Sequence, residues 1–149
     1  MSDKLNIKIL IVTEEEGSFD PEHRFGLSEL VKTLKNAEYD FAAFSVTTAH
    51  RSLKSQNPYA ANADIENFRF DNAFSAAGYQ QVWLFGFSNF YNIGNDPFVL
   101  ATPHGQVFPV SDHELAVLAL FMDQGGGVFA TGDHENLGTN LCEIGRAHV

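Results

Sequence analysis

Leu5-Asn6-Ile7-Lys8-Ile9-Leu10-Ile11-Val12-Thr13 is a nearly continuous run of branched apolar residues. Apolar side chains at successive positions, with no polar alternation over Ile9–Val12, read as a strand buried on both faces. Such strands belong to parallel sheets covered by helices on either side. The polar run Glu14-Glu15-Glu16-Gly17-Ser18 follows as a loop. Beyond it Leu27, Leu30, Val31 and Leu34 fall at i, i+3, i+4 and i+7, one face of a helix. Lys32 and Lys35 near its end suit the helix dipole.

The same alternation continues along the chain. Tyr39 to Thr48 reads as a second strand, and Arg51 to Asp64, polar and containing Asn57-Pro58, as a loop. Phe70 to Ala77 reads as a short helix and Gln81 to Phe87 as a third strand, apolar throughout. Ser88 to Val110 is long for a connection, and its aromatic residues predict an ordered lid or flap. Ser111-Asp112-His113-Glu114 is a capping box opening a helix that carries Leu115, Leu118, Phe121 and Met122. Gly125-Gly126-Gly127 ends it, Val128 to Thr131 is the fourth strand, and Gly132 to Gly138 is the loop after it. A β-α-β-α-β-α-β order predicts an α/β fold, a three-layer α/β/α sandwich with a mostly parallel sheet and right-handed crossovers.

Composition narrows the class of partner. The 149 residues fit one domain, and 44% hydrophobic content with fourteen Phe is enough for a packed core. A net charge of −10 repels phosphate backbones and anionic membranes, which argues against nucleic acid as a partner. No apolar run approaches the ~20 residues that span a bilayer, and the N-terminus lacks a signal sequence, so a cytoplasmic location is expected. Cys142 is the only cysteine, which excludes a disulfide framework and a Cys-based zinc site.

Glu143 to Val149 back-translates as GAG-ATC-GGA-AGA-GCA-CAC-GTC, similar to the start of a short-read sequencing adapter. On that reading native sequence ends near Cys142, residues 1–142 are the N-terminal part of a domain incomplete at its C-terminus, and residues 143–149 are foreign.

Ligands of open parallel sheets bind beyond the carboxyl ends of the strands, and this selects the candidate residues. Glu14 follows the first strand, Ser88 and Asn89 the third, and Gly132 the fourth; these are the expected ligand-binding positions. Asp133, His134 and Glu135 are the expected catalytic positions: Asp133 to orient an imidazole, His134 as a base and Glu135 as a proton carrier. Asp133 capping a following helix is the alternative. The remainder of the Glu14–Glu16 run reads as a solvated loop, and His50 and His104 as exposed. A metal site from Asp133, His134, Glu14 and His50 has no H-E-x-x-H spacing to support it, so no metal ligand is assigned and the cofactor is left open. The triple glycine precedes a strand and lacks the P-loop pattern, against an NTPase; Glu14–Glu16 has the wrong charge for the phosphate loop of an electron-transfer flavodoxin.

Helix, then Gly125-Gly126-Gly127-Val128-Phe129-Ala130-Thr131-Gly132-Asp133-His134, resembles the class I glutamine amidotransferase-like superfamily, and within it the trehalose-utilisation (ThuA-like) branch of bacterial and uncharacterised proteins. Tyr79 to Gly86 matches the preceding strand of that layout. The resemblance implies a flavodoxin-like fold and, by analogy, a small polar or sugar-like ligand. It does not imply the amidotransferase reaction: the family's Cys elbow is replaced by Gly132-Asp133-His134, and Cys142 is too far downstream. The expected function is therefore a non-covalent ligand-binding domain. A hydrolase using Asp133, His134 and Glu135, with or without a divalent metal, is the alternative.

Overall fold

Branched residues at every position from Ile9 to Val12 can all be buried only if both faces of their strand are covered. In the computed structural model, which describes residues 4–23, 26–87, 92–93, 96–102, 105–107 and 110–132, they are: Ile9 is 1% exposed and Leu10, Ile11 and Val12 are 0%. Strand β1 (Leu5–Thr13) lies inside a four-stranded sheet with β2 (Ala42–His50), β3 (Gln81–Gly86) and a further strand, β7 (Gly127–Gly132). The order is β2-β1-β3-β7 and every pairing is parallel. Leu5 stands opposite Ala42 and Thr13 opposite His50, while Thr13 also faces Phe85 on the other side.

Helix α1 (Ser28–Asn36) crosses between β1 and β2, and α2 (Asn72–Ala76) lies between β2 and β3. Alternate residues of the strands feed two separate cores. Ile9 and Ile11 pack with Leu27 and Val31 on the α1 side. Leu10, Val12, Val82 and Leu84 pack on the other face with Phe74 of α2 and with Leu115 and Leu118 of α3 (Asp112–Asp123). Phe68, Phe70 and Phe74 meet edge to face with centroids 4.8 and 5.0 Å apart, a geometry that favours ring quadrupoles. The domain is thus an α/β fold with helices on both faces of a parallel sheet.

The helix ends follow their local chemistry. Ser111 caps α3 by accepting from the Glu114 N–H at 3.1 Å, and the Glu114 carboxylate returns the bond to the Ser111 N–H at 3.2 Å. Gly125 adopts φ +97° after the helix, a left-handed conformation that glycine takes without a steric penalty. A Cβ on Gly126 would lie 2.4 Å from the Phe121 ring, so any side chain there would have to displace that ring from its place against the core.

Two expected elements differ. The second strand begins at Ala42, not Tyr39, because the Tyr39 N–H turns back to the Ala42 carbonyl and leaves Tyr39 and Phe41 exposed and stacked. It then runs on to His50, where it gains a parallel bridge between Ala49 and Ile65. The segment expected as a long loop contains a small antiparallel sheet, β4 (Asn92–Ile93), β5 (Asp96–Thr102) and β6 (Gly105–Val107), in the order β4-β5-β6.

Leu84 is fully buried and Leu120 is 54% exposed. Chemical denaturation of Leu84→Ala should therefore show a loss of about 2–5 kcal/mol, from lost burial plus a cavity. Leu120→Ala should stay within about 0.5 kcal/mol of the parent.

Candidate functional site

All strands of the parallel sheet point their carboxyl ends to one edge, and that edge is where the polar interior lies. Thr13, Glu14 and His50 are 0% exposed, and Glu15, Arg51, Asn57 and Glu114 are at most 4%. The strand order places the reversal between β1 and β3: from β1 the chain goes outward to β2 and then back across to β3 and β7. In open parallel sheets a switch point of this kind is where a ligand crevice forms, since the two connections depart on opposite faces.

On the β1 side of this crevice the chain folds back tightly. The Gly17 N–H bonds the Glu14 carbonyl at 2.9 Å, and Glu15 takes φ +51°, a left-handed conformation unusual for a residue with a side chain. A Cβ on Gly17 would fall 1.9 Å from the Thr13 hydroxyl and 2.6 Å from the Phe87 ring, so glycine is needed for this approach. The Thr13 hydroxyl donates to the Phe85 carbonyl at 3.1 Å and joins the ends of β1 and β3.

His50 holds the strained turn in place. Its Nδ1 accepts from the Ser52 N–H at 2.9 Å, which puts the ring proton on Nε2. Nε2 then donates to the Glu15 carbonyl at 3.1 Å, and Asn57 Nδ2 donates to the same oxygen at 3.0 Å. A neutral imidazole bonded to backbone at both nitrogens is a brace; as a proton shuttle it would have to give up one of these bonds.

Arg51 continues this buried layer toward α3. Its Nη1 and Nη2 donate to Glu114 Oε2 and Oε1 at 2.7 and 3.0 Å, a two-pronged pair. Glu114 also accepts from the Phe70 N–H at 3.0 Å. Burial pushes the Glu114 carboxyl up, but Arg51 and the backbone N–H groups of Phe70 and Ser111 together outweigh it, so its pKa lies below the ordinary 4.5. Arg69 Nη1 donates to the Arg51 and Phe68 carbonyls at 2.8 and 2.7 Å. Burial and the neighbouring Arg51 charge lower the Arg69 pKa, against a smaller opposing effect of Glu114.

The expected site residues fall into three groups. Glu14 is at the carboxyl end of β1 but buried, and Glu15 is buried with it, so this run is an internal turn where a solvated loop was expected. Gly132 is the last residue of β7 and stands opposite Gly86 of β3, so two positions without side chains adjoin at this edge. Ser88, Asn89, Asp133, His134, Glu135 and His104 lie outside the described residues. His50, expected to be exposed, is buried because β2 extends to it and segment 65–68 covers it through bonds from His50 N–H to the Ile65 carbonyl and from Phe68 N–H to the His50 carbonyl.

Sequence reasoning missed Arg51, Asn57 and Glu114 as buried polar residues. One signal was present: Glu114 precedes Leu115 and lies four residues before Leu118, on the border of the apolar face of α3. Among the described residues no group of His, Cys, Asp and Glu could hold a metal ion, and no helix is long and apolar enough to cross a membrane. Comparison with protein-family models, curated proteins and solved structures gives no match for this chain.

Removing one partner of a buried, bonded ion pair leaves an uncompensated charge, so Glu114→Ala should cost about 3–5 kcal/mol in urea unfolding. Because folding lowers the Glu114 pKa, its contribution is complete above the ordinary 4.5 and is lost as pH falls through the lower folded value. Below about pH 5 the parent should therefore lose stability more steeply than Glu114→Gln, which is weaker at neutral pH but lacks this titration. Parallel pH profiles for the two proteins would contradict this.

Proposed function

We propose that this chain is a ligand-binding domain of the class I glutamine amidotransferase-like kind that does no covalent chemistry. Its ligand is small and polar, of sugar-like character, and sits beyond the carboxyl ends of β1, β3 and β7. The observation that carries this reading is the strand order β2-β1-β3-β7, whose reversal lies between β1 and β3. The paired Gly86 and Gly132 support it, because backbone without side chains lets a ligand approach and use N–H and C=O groups directly. Ser88 and Asn89 after β3, and Gly132, are the ligand-binding residues on this reading, while Glu14, expected to bind as well, is buried and shapes the β1 side of the site. The net charge of −10 favours a neutral or cationic ligand in this crevice over nucleic acid or an anionic membrane.

No Cys or Ser directly follows β7 in the sequence, where Gly132 is succeeded by Asp133 and His134. A thioester or acyl-enzyme has no nucleophile there. The second reading is hydrolysis by Asp133, His134 and Glu135. The end of β7 at Gly132 favours it, since the chain leaves the sheet at the crevice with these residues next.

Amide chemical shifts of the labelled protein, titrated with neutral sugars and polyols, test the binding reading. Expected perturbations cluster at residues 13–18, 86–89 and 131–136. Shifts confined to the opposite edge of the sheet, around Leu5, Ala42, Gln81 and Gly127, or none with any of these ligands, would refute it. Asp133→Asn and His134→Ala should weaken binding on the first reading. Should either abolish a measurable ester or glycoside hydrolysis that the parent shows, the second replaces it.

A further inference from the structure

A cavity lies on the flank of the sheet, on the α1 side. It is a cleft of about 330 Å³ between α1, the end of β2 and the segment around Asn62 and Asp64. Its floor is apolar, formed by Phe19 and Val31, which are 7% and 9% exposed. Its polar lining holds two cations and four side chains that can donate a hydrogen bond, against one carboxylate. Ser28, Lys32, Lys35, Asn36, Asn62 and Thr48 all line it. Among the described residues the side chains of the first five make no hydrogen bond or ion pair, and the Thr48 hydroxyl accepts one bond, from the Asp64 N–H at 2.9 Å, and donates none. Thr48 is 4% exposed, so its unused O–H is a buried donor lining the cleft. The one carboxylate of the lining, Asp64, already accepts from the Thr48 N–H at 2.9 Å.

Charge in the lining is net positive, with Lys32 and Lys35 against Asp64. The chain carries nine basic residues against nineteen acidic. Lys4 pairs with Glu38 and Lys8 bonds the Ala77 carbonyl, whereas Lys32 and Lys35, one helical turn apart on α1, both reach this cleft without an acidic partner among the described residues. Two cations, a buried hydroxyl and two amides over an apolar floor complement an oxyanion attached to a compact carbon body.

We propose that this cleft binds a small molecule bearing a phosphate or carboxylate group. The anion sits between Lys32 and Lys35, within reach of the Thr48 hydroxyl, and the body rests on Phe19 and Val31. The site is independent of the carboxyl-edge crevice and of opposite charge preference, so the domain can hold two ligands at once.

Titrating the labelled full chain with inorganic phosphate, glycerol 3-phosphate and lactate, with glycerol as the uncharged control, tests this. Saturable shifts should appear at residues 31–36, 48 and 62 with one or more of the anions and not with glycerol. Comparison of glycerol 3-phosphate with lactate tells phosphate from carboxylate preference. Lys32→Gln and Lys35→Gln should each weaken binding, and the double variant should weaken it at least roughly tenfold, while Lys54→Gln leaves it unchanged. Absence of saturation with all three anions, shifts spread equally over all lysines, or undiminished binding in the double variant would overturn the proposal.

Discussion

The buried pair between Arg51 and Glu114 is the constraint around which the carboxyl edge of this domain is organised. Desolvating two charges costs several kcal/mol each, and only good geometry with further hydrogen bonds offsets that. Here both carboxylate oxygens are used: each takes one Arg51 nitrogen and one backbone N–H, from Phe70 or Ser111. Four hydrogen bonds from three residues therefore draw together the exit of β2, the segment before α2 and the first turn of α3. The same carboxylate completes the capping box, so one side chain both starts a helix and docks it.

From that fixed point the polar layer extends along the strand ends. Arg51 donates its backbone N–H to the Thr13 carbonyl at 3.0 Å, which ties the exit of β2 to the end of β1. His50 and Asn57 then clamp the Glu15 carbonyl and hold the left-handed turn after β1. A turn of that conformation costs of order 1–3 kcal/mol and persists where its surroundings over-determine it. The result is a rigid rim at the switch point, with bare backbone at Gly86 and Gly132 beside it. Rigid rims limit the ordering entropy lost on binding, which is why such edges suit small ligands. The donor-rich cleft beside α1 has a different character: its cations stand on a helix surface, and its specificity would come from charge more than from shape.

Much of the fold was legible because it rests on local pattern. The apolar run of β1, the helical spacing of Leu27, Leu30, Val31 and Leu34, the capping box and the triple glycine all act within a few residues, and each lies where expected. The start of β2 was not, because Tyr39 and Phe41 have strand-like side chains yet stay outside, turned back by a backbone bond to Ala42. Ser88 to Val110 was read as a long connection forming an ordered lid or flap, and its short strands were missed, since prolines and glycines signal turns without saying that strands join them. For the candidate site, the edge was legible but its burial was not. Glu14 and Glu15 are of a residue type that is seldom fully buried, and the His50 ring that braces the Glu15 carbonyl comes from 35 positions away.

By itself, then, the sequence determined the order of the elements that build the parallel sheet, the parallel α/β class and the edge at which polar residues collect, because hydrophobic period and turn chemistry are short-range properties. Only the tertiary structure decided which charges lie inside. Arg51 and Glu114 are 63 positions apart and His50 and Glu15 35; apart from the place of Glu114 beside the apolar face of α3, nothing local distinguishes them from solvated residues. Their burial follows from β1 and β2 being neighbours in full register and α3 packing back over them, arrangements fixed by long-range pairing and packing.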